Sequence, residues 1–289
     1  MADERAVTKL GTALKVFVFS LLALLGLPIF SWLLSPFQAI IQATLHVFAT
    51  AAVANAVTLR IYERGKLADI GLQWNRLSAA NLGIGLFTGI AAALLVTAVP
   101  LATGAAELKP NPGFPFNFGS IVFVSILLLF GAIGEEMLFR GYAFQVLITL
   151  MGRYATLLPG AVIFAAAHSG NLNSSPISLF NTFAMGALLG YAFLRSGDLW
   201  LPIGLHFGWN WTLPLFGVNL SGFTMGMTGY AMQWKVGALW SGGEYGPEAG
   251  LVTSLMVPVL GYALWRAPVR KQESFLLRGM DDDGEMREV

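Results

Sequence analysis

Residues 120–150 read SIVFVSILLLFGAIGEEMLFRGYAFQVLITL. The run is apolar and longer than the roughly 20 residues a membrane-crossing helix needs, yet it contains Glu135, Glu136 and Arg140. An ionised side chain at the centre of a span costs at least ~2.5–3.5 kcal/mol on the mildest scales. Ionisable groups kept in such a place mark a functional site by default, with partners to be sought elsewhere in the chain.

The remainder of the chain has the same solvent in view. Of its 289 residues, 56% are hydrophobic and 11% charged, and the mean hydropathy is +0.67. A soluble domain carries about 25% charged residues, so the composition defines a polytopic membrane protein of all-α class. The net charge of +1, without a basic patch, gives no sign of a nucleic-acid partner. There is no cysteine, which excludes a disulfide framework, a thiol nucleophile and a thiolate metal site.

Eight stretches are candidate spans: about 14–34, 38–59, 79–103, 119–147, 156–173, 177–195, 199–217 and 249–266. The first follows MADERAVTKLGTALK and lacks a small-residue cleavage signal, so it reads as a membrane helix and not as a removed leader. The fifth is the weakest, fading into His168-Ser-Gly-Asn-Leu-Asn-Ser-Ser. Pro176 and Pro202 fall where helices begin, their favoured place. Residues 1–289 are read as one membrane domain, with a motif-bearing core over 119–217 and a cytosolic tail over 268–289 whose end, DDDGEMREV, is expected to be solvated and disordered.

Charge sets the expected orientation. With eight spans, one set of connectors and both ends hold Arg5, Lys9, Lys15, Arg60, Arg64, Lys66, Arg76, Arg153, Arg195, Arg266, Arg270, Lys271, Arg278 and Arg287, while the other set holds only Lys109 and Lys235. Fourteen against two places both termini in the cytosol by the positive-inside rule. The segment 59–78 is charged and amphipathic and is expected along the cytosolic interface. The Gly-rich stretch 217–250, with Trp234 and Trp240, reads as a long outer loop, a plain connector by default. No internal repeat is visible, which weighs against an inverted-repeat transporter.

Three of the spans carry the groups that matter. Glu136 and Arg140 are four apart on one helix face, acid first, an arrangement suited to mutual neutralisation. Glu135 is rotated by about 100° from that face and is left to face a cavity. His168 lies four after Phe164. His206 and Asn210 are again four apart and present an imidazole beside a carboxamide. Counting ~1.5 Å per residue in a core ~30 Å thick, Glu135 lies roughly 8 Å, His206 about 10 Å and His168 about 16 Å from the cytosolic boundary, depths that allow them to meet.

Such a set suits hydrolysis of a peptide bond without a covalent intermediate. A buried carboxylate is a fitting general base for water, one histidine can hold that water, and a second histidine with an amide can donate to an oxyanion. The competing chemistry is a metal held by Glu135, His168 and His206 with an open position. There is no His-Glu-x-x-His helix, and Asn is a poor zinc ligand, so the metal-free version is favoured and a divalent metal such as zinc stays open. His46 has no partner motif and reads as a structural, hydrogen-bonded histidine. Gly186 and Gly190 form a small-residue face expected to pack inside this chain, and Asn181 is a candidate for the cavity wall.

Glu135-Glu136-Met-Leu-Phe-Arg140, Phe164-Ala-Ala-Ala-His168 and His206-Phe-Gly-Trp-Asn210 resemble, in order and on separate spans, the three motifs of the CPBP family, the type II CAAX prenyl proteases and bacteriocin-processing or immunity proteins also called Abi. The resemblance covers about 135–210. It implies an eight-helix intramembrane endopeptidase whose site opens to the cytosol, cutting near the C-terminus of membrane-anchored or prenylated proteins. By that likeness Glu135 with His168 activates water, His206 and Asn210 form the oxyanion hole, and Glu136, Arg140 and Phe164 support them. Expected partners are membrane lipid and a peptide or lipidated protein; the sequence carries no signal for an oligomeric state. The rival readings are a non-catalytic immunity or scaffold member of the same family and a proton-coupled transporter.

Overall fold

The computed structural model describes residues 2–278, and the side chains of residues 9–278; the acidic end of the tail, 281–289, lies outside the described residues. Of the described residues, 71% are helical. In order it forms α1 (Ala2–Leu33), α2 (Ala39–Thr58), α3 (Arg76–Ala102), β1 (Ala106–Pro110), α4 (Phe118–Arg140), α5 (Tyr142–Met151), α6 (Leu157–Ala167), α7 (Pro176–Ser196), α8 (Trp200–Leu215), β2 (Tyr230–Trp234), the single turn α9 (Ala238–Ser241) and α10 (Leu251–Arg266). Among the described residues, five helical stretches are long and apolar enough to cross a membrane: Lys9–Leu33, Ala39–Glu63, Arg76–Ala102, Phe118–Met151 and Pro176–Ser196.

Three of the stretches read as spans are shorter helices. α6 has 11 residues, and α8 and α10 have 16 each. α6 stops at His168 because the Ser, Gly and Asn residues that follow compete with helical hydrogen bonds. α7 then starts afresh at a capping box, in which Ser175 and Ser178 bond each other's backbone N–H, with Pro176 at the first helical position.

The fourth span is broken at Gly141, whose backbone turns out of the helix between α4 and α5. The break strands a carbonyl and an amide in an apolar setting, and Asn55 of α2 satisfies both. Its Nδ2 donates to Met137 O at 2.9 Å and its Oδ1 accepts from Tyr142 N at 2.8 Å. Asn55 is fully buried, and a Cβ at residue 141 would overlap both Met137 O and Asn55 Oδ1. A glycine at the break and an asparagine 86 positions upstream are thus one device.

α3 and α8 form the most extensive helix pair. Gly85 and Gly89 of α3 face Leu201 O and Leu205 O, and Gly204 and Gly208 of α8 face Leu82 O and Leu86 O. Small residues at this spacing bring two backbones together where lipid offers no hydrophobic drive between helices. Gly186 and Gly190 do pack within the chain, against Phe164 of α6 and Leu157 beside it.

The two ends of the bundle differ. At one, Leu199 N donates to Gly71 O, Gln145 Nε2 to Ile70 O, and Arg270 N to Asn81 Oδ1, gathering the charged connectors 60–76, 141–156, 196–200 and 267–278. Asp198 sits in this knot with one oxygen accepting from Trp200 N and Leu201 N at the start of α8, and the other from Asn81 and Gln272. Burial pushes the Asp198 carboxyl above its ordinary range, against the pull of these donors. The chain from 268 to 278 is therefore strapped to the bundle. At the other end, β1 pairs antiparallel with β2, Ala106 opposite Trp234 and Pro110 opposite Tyr230. This small sheet departs from the all-helical expectation, and it ties the α3–α4 connector to the stretch 217–250. That stretch is no plain connector either: Leu220, Met227, Met232 and Tyr245 are buried in it.

Replacing Asn55 by Ala leaves Met137 O and Tyr142 N unpaired in the bundle, and should lower stability by about 1–2 kcal/mol. Thermal unfolding in detergent measures this; a melting temperature equal to that of the parent would show that the break does not depend on Asn55.

Candidate active site

α4, α6 and α8 bring the three motifs to one place. Glu135 Oε2 lies 3.8 Å from His168 Nε2 and 3.9 Å from His206 Nε2. Glu136, one residue on, points away from this meeting point and is completely buried, whereas the Glu135 side chain stays 25% exposed. The two acids occupy different faces of one helix turn, as their 100° offset requires.

Glu136 does more than neutralise Arg140. Its Oε1 is 3.3 Å from Arg140 Nη1 but 2.8 Å from His206 Nδ1. The sequence reading paired it with Arg140 alone; the shorter bond crosses from α4 to α8 and orients the imidazole. Arg140 divides its donors, sending Nη2 to Gly186 O on α7 at 2.7 Å, and its guanidinium lies over the Phe164 ring at 4.6 Å. Phe164 also stacks on His168, centroids 4.6 Å apart, so it joins the cation to the second histidine.

Proton positions follow from the partners. The carbonyl of Phe164 can only accept, so His168 Nδ1 donates to it at 2.8 Å and leaves Nε2 with a lone pair. Glu136 as a carboxylate likewise takes the proton of His206 Nδ1. In neutral histidines, both Nε2 atoms therefore turn acceptors toward Glu135 Oε2, a buried oxygen with no hydrogen-bond partner among the described residues. Three acceptors at 3.8–3.9 Å are too far apart for direct hydrogen bonds. A water molecule fits between them and can donate to two of the three at once.

The same three atoms are the metal set considered from sequence. Two ligands about 2.0–2.1 Å from a tetrahedral zinc stand ~3.3 Å apart, less than the separations observed. Among the described residues, no group of three or more His, Asp or Glu side chains is arranged to hold a metal ion.

The cluster opens on a cavity of about 430 Å³ whose wall includes Glu135, Phe164, His168, His206 and Asn210. Asn210 makes no side-chain hydrogen bond among the described residues and keeps its amide for whatever enters. His46 donates Nδ1 to Gln42 O at 2.6 Å, the structural bond expected of it, and also faces this cavity. Asn181 reaches the wall too, but its amide is committed to Glu248 O and Gly250 O. Sequence reading missed Trp209, Ser221 and Glu248, all in the lining. Trp209 sits between two motif residues, which was the one available signal; the other two lie in the stretch taken for a connector.

Residues 117–212, about a third of the chain, match the family described as type II CAAX prenyl endopeptidase, Rce1-like, and this part of the chain is similar to it. The chain is also similar to an uncharacterized 24.3 kDa protein of Escherichia coli, 32% identical over 149 residues. That likeness covers 49% of this chain and 62% of the relative. The match to the family begins at the cap of α4 and ends inside α8, so it takes in all three motifs and none of the stretch 217–250.

Arg140→Met would strand the Glu136 charge in the bundle and should destabilise the protein by about 3–5 kcal/mol. Adding Glu136→Gln should recover much of that loss in a double-mutant cycle of unfolding; additive losses would mean that the two residues do not compensate one another.

Proposed function

We propose that this protein is an intramembrane endopeptidase in which Glu135 and His168 activate water, and Asn210 with His206 stabilises the oxyanion formed at the attacked carbonyl. The observation that carries this reading is the convergence of Glu135 Oε2 with two histidine Nε2 atoms at 3.8 and 3.9 Å on the wall of a cavity. A water donating its two protons to Glu135 Oε2 and His168 Nε2 has its oxygen lone pairs exposed for attack and a proton beside a carboxylate, the arrangement general base catalysis requires. His206 donates from Nε2 once it carries both protons, since Nδ1–H is engaged by Glu136. Glu136, Arg140 and Phe164 hold the set in register. No resident metal is needed for these steps.

The proposed setting is an eight-crossing bundle with both termini in the cytosol, α6, α8 and α10 completing the passages that the long helices begin. Fourteen of the sixteen basic residues other than Arg140 support it, as does the gathering of the charged connectors at one end. Lys109 and Lys235 both pair with Glu107 at the other end, on the sheet. Glu135 and His206 then lie in the half of their helices nearer the cytosol, although the cavity beside them is lined by the first turns of α2 and by 220–225, toward the sheet end. Its mostly apolar wall fits a substrate arriving from the lipid, and the family likeness makes a prenylated or otherwise membrane-anchored protein, cut near its C-terminus, the first candidate.

Purified protein in lipid vesicles should cut an S-farnesyl peptide of the CAAX type, with cleavage read by mass spectrometry. Glu135→Gln and His168→Ala should each lower the rate by about 10²–10⁴-fold while the protein still folds. Cleavage at the parental rate in either variant would refute the assignment and favour a binding or scaffold role. Cleavage that persists in a membrane-permeant chelator supports glutamate chemistry; loss on chelation with recovery on adding zinc moves the reaction to a metal held by Glu135, His168 and His206.

A further inference from the structure

One wall of the cavity is built outside the Rce1-like match. Leu220, Ser221, Phe223 and Met225 line it, together with Glu248. Their stretch enters the bundle by an unusual path. Ser221 adopts a left-handed conformation, φ 50°, and Gly246 has φ 105° at a place where a Cβ would overlap Asn219 O. A non-glycine residue held at positive φ needs surrounding bonds to keep it there.

Those bonds converge on Glu248. Its Oε2 accepts from both the backbone N–H and the hydroxyl of Ser221, at 2.7 and 2.8 Å, and its Oε1 accepts from Trp209 Nε1 at 3.1 Å. The backbone around it is fastened in turn. Asn181 of α7 donates to Glu248 O at 2.8 Å and to Gly250 O at 3.1 Å, and Thr253 donates to Pro247 O at 2.7 Å. Burial holds the neighbouring Tyr245 phenol above its ordinary range, so that it stays neutral beside the carboxylate. Trp209 is buried on α8 directly before Asn210 and three residues after His206, with the α3 backbone close behind it at Gly89. The carboxylate thus ties the wall made by 220–225 to the turn of α8 that carries two motif residues.

We infer that Glu248 is a positioning residue that fixes this wall of the substrate cavity, and that the stretch 217–250 thereby selects which apolar chains the site accepts. The inference rests on the protease reading for the word substrate, and on geometry alone for the clamp. The three donors need both carboxylate oxygens: Glu248→Gln leaves one oxygen and opposes an NH2 to either the Trp209 or the Ser221 backbone N–H, and Trp209→Phe keeps the packing and removes only the indole N–H.

The absence of cysteine from the chain allows a direct test. Met225→Cys places one thiol in the wall, where the parent side chain is 9% exposed, and Lys66→Cys gives an exposed control at the far end. Labelling of Met225→Cys in vesicles by a water-soluble maleimide should rise about ten-fold or more when Glu248→Ala is added, as expected for local opening of a clamped segment. It should rise by a smaller factor with Glu248→Gln or Trp209→Phe, and Lys66→Cys should label at one rate throughout. Unchanged labelling of Met225→Cys in all three backgrounds would overturn the inference; the two milder variants decide the matter should Glu248→Ala not fold. On the S-farnesyl peptide and on homologues with shorter and longer S-alkyl chains, Glu248→Gln should raise KM about five-fold or more and flatten the preference for chain length, with kcat within about two-fold of the parent. A fall in kcat at constant KM and unchanged length preference would also overturn it. Should the parent protein cut none of these peptides, the protease reading fails, while the labelling still decides whether Glu248 holds the wall.

Discussion

Two adjacent carboxylates inside an apolar bundle set the terms for everything around them. A lone buried carboxylate is too costly to keep ionised, and two of them side by side repel. Helical geometry separates their tasks by turning Glu136 into the protein and Glu135 toward the cavity. Arg140, one turn below, offers a guanidinium to Glu136, but at 3.3 Å and with its best donor spent on Gly186 O. The closer partner of Glu136 is the imidazole of His206 at 2.8 Å. Ion pairs of this kind contribute little net stability against apolar packing, yet removing one member is severe. Their value lies in register: α4, α7 and α8 cannot slide without breaking a bond to the cluster.

What the sequence disclosed and what it hid divide along the same line. Contacts set by helical periodicity were readable. The i, i+4 spacing paired Glu136 with Arg140, the offset of Glu135 put it on another face, and Pro176 marked a helix start. The bond from Glu136 to His206 joins residues 70 apart and depends on how two helices pack. The pairing of Asn55 with the Gly141 break spans a still longer interval, and nothing near Asn55 distinguishes it from other small polar residues in a span. The helix lengths were misjudged for a related reason. Hydropathy measures apolar length, and α6 is apolar up to the point where Ser, Gly and Asn residues end it, so 156–173 looked longer than the 11 residues that are helical.

The stretch 217–250 misled for a different reason. Its glycines read as a flexible connector, because composition alone does not tell a loop that needs many conformations from one that needs a few unusual ones. Here Gly217, Gly222, Gly242 and Gly246 all have positive φ, and each lets the backbone approach another segment closely. The segment buries Met227 and Tyr245 and pairs β2 with β1. Glycine was serving as a residue of tight fit, as it also does along α3 and α8, where it brings two helical backbones into contact.

α8 is consequently held from two directions before any substrate is present. Asp198, itself bonded by Gln272, secures its first turn at the charged end, and the glycines of α3 press on its back. A helix that carries an imidazole and an amide for an oxyanion has reason to be so restrained, because preorganised donors stabilise developing charge without reorganising at the moment of reaction. The same restraint bears on where a proton can sit on His206. With Nδ1–H engaged by Glu136 at 2.8 Å, a second proton on this ring has only Nε2 to occupy, and Nε2 faces Glu135 and the cavity. In the proposed reaction a proton arriving there stands where a developing oxyanion would need a donor.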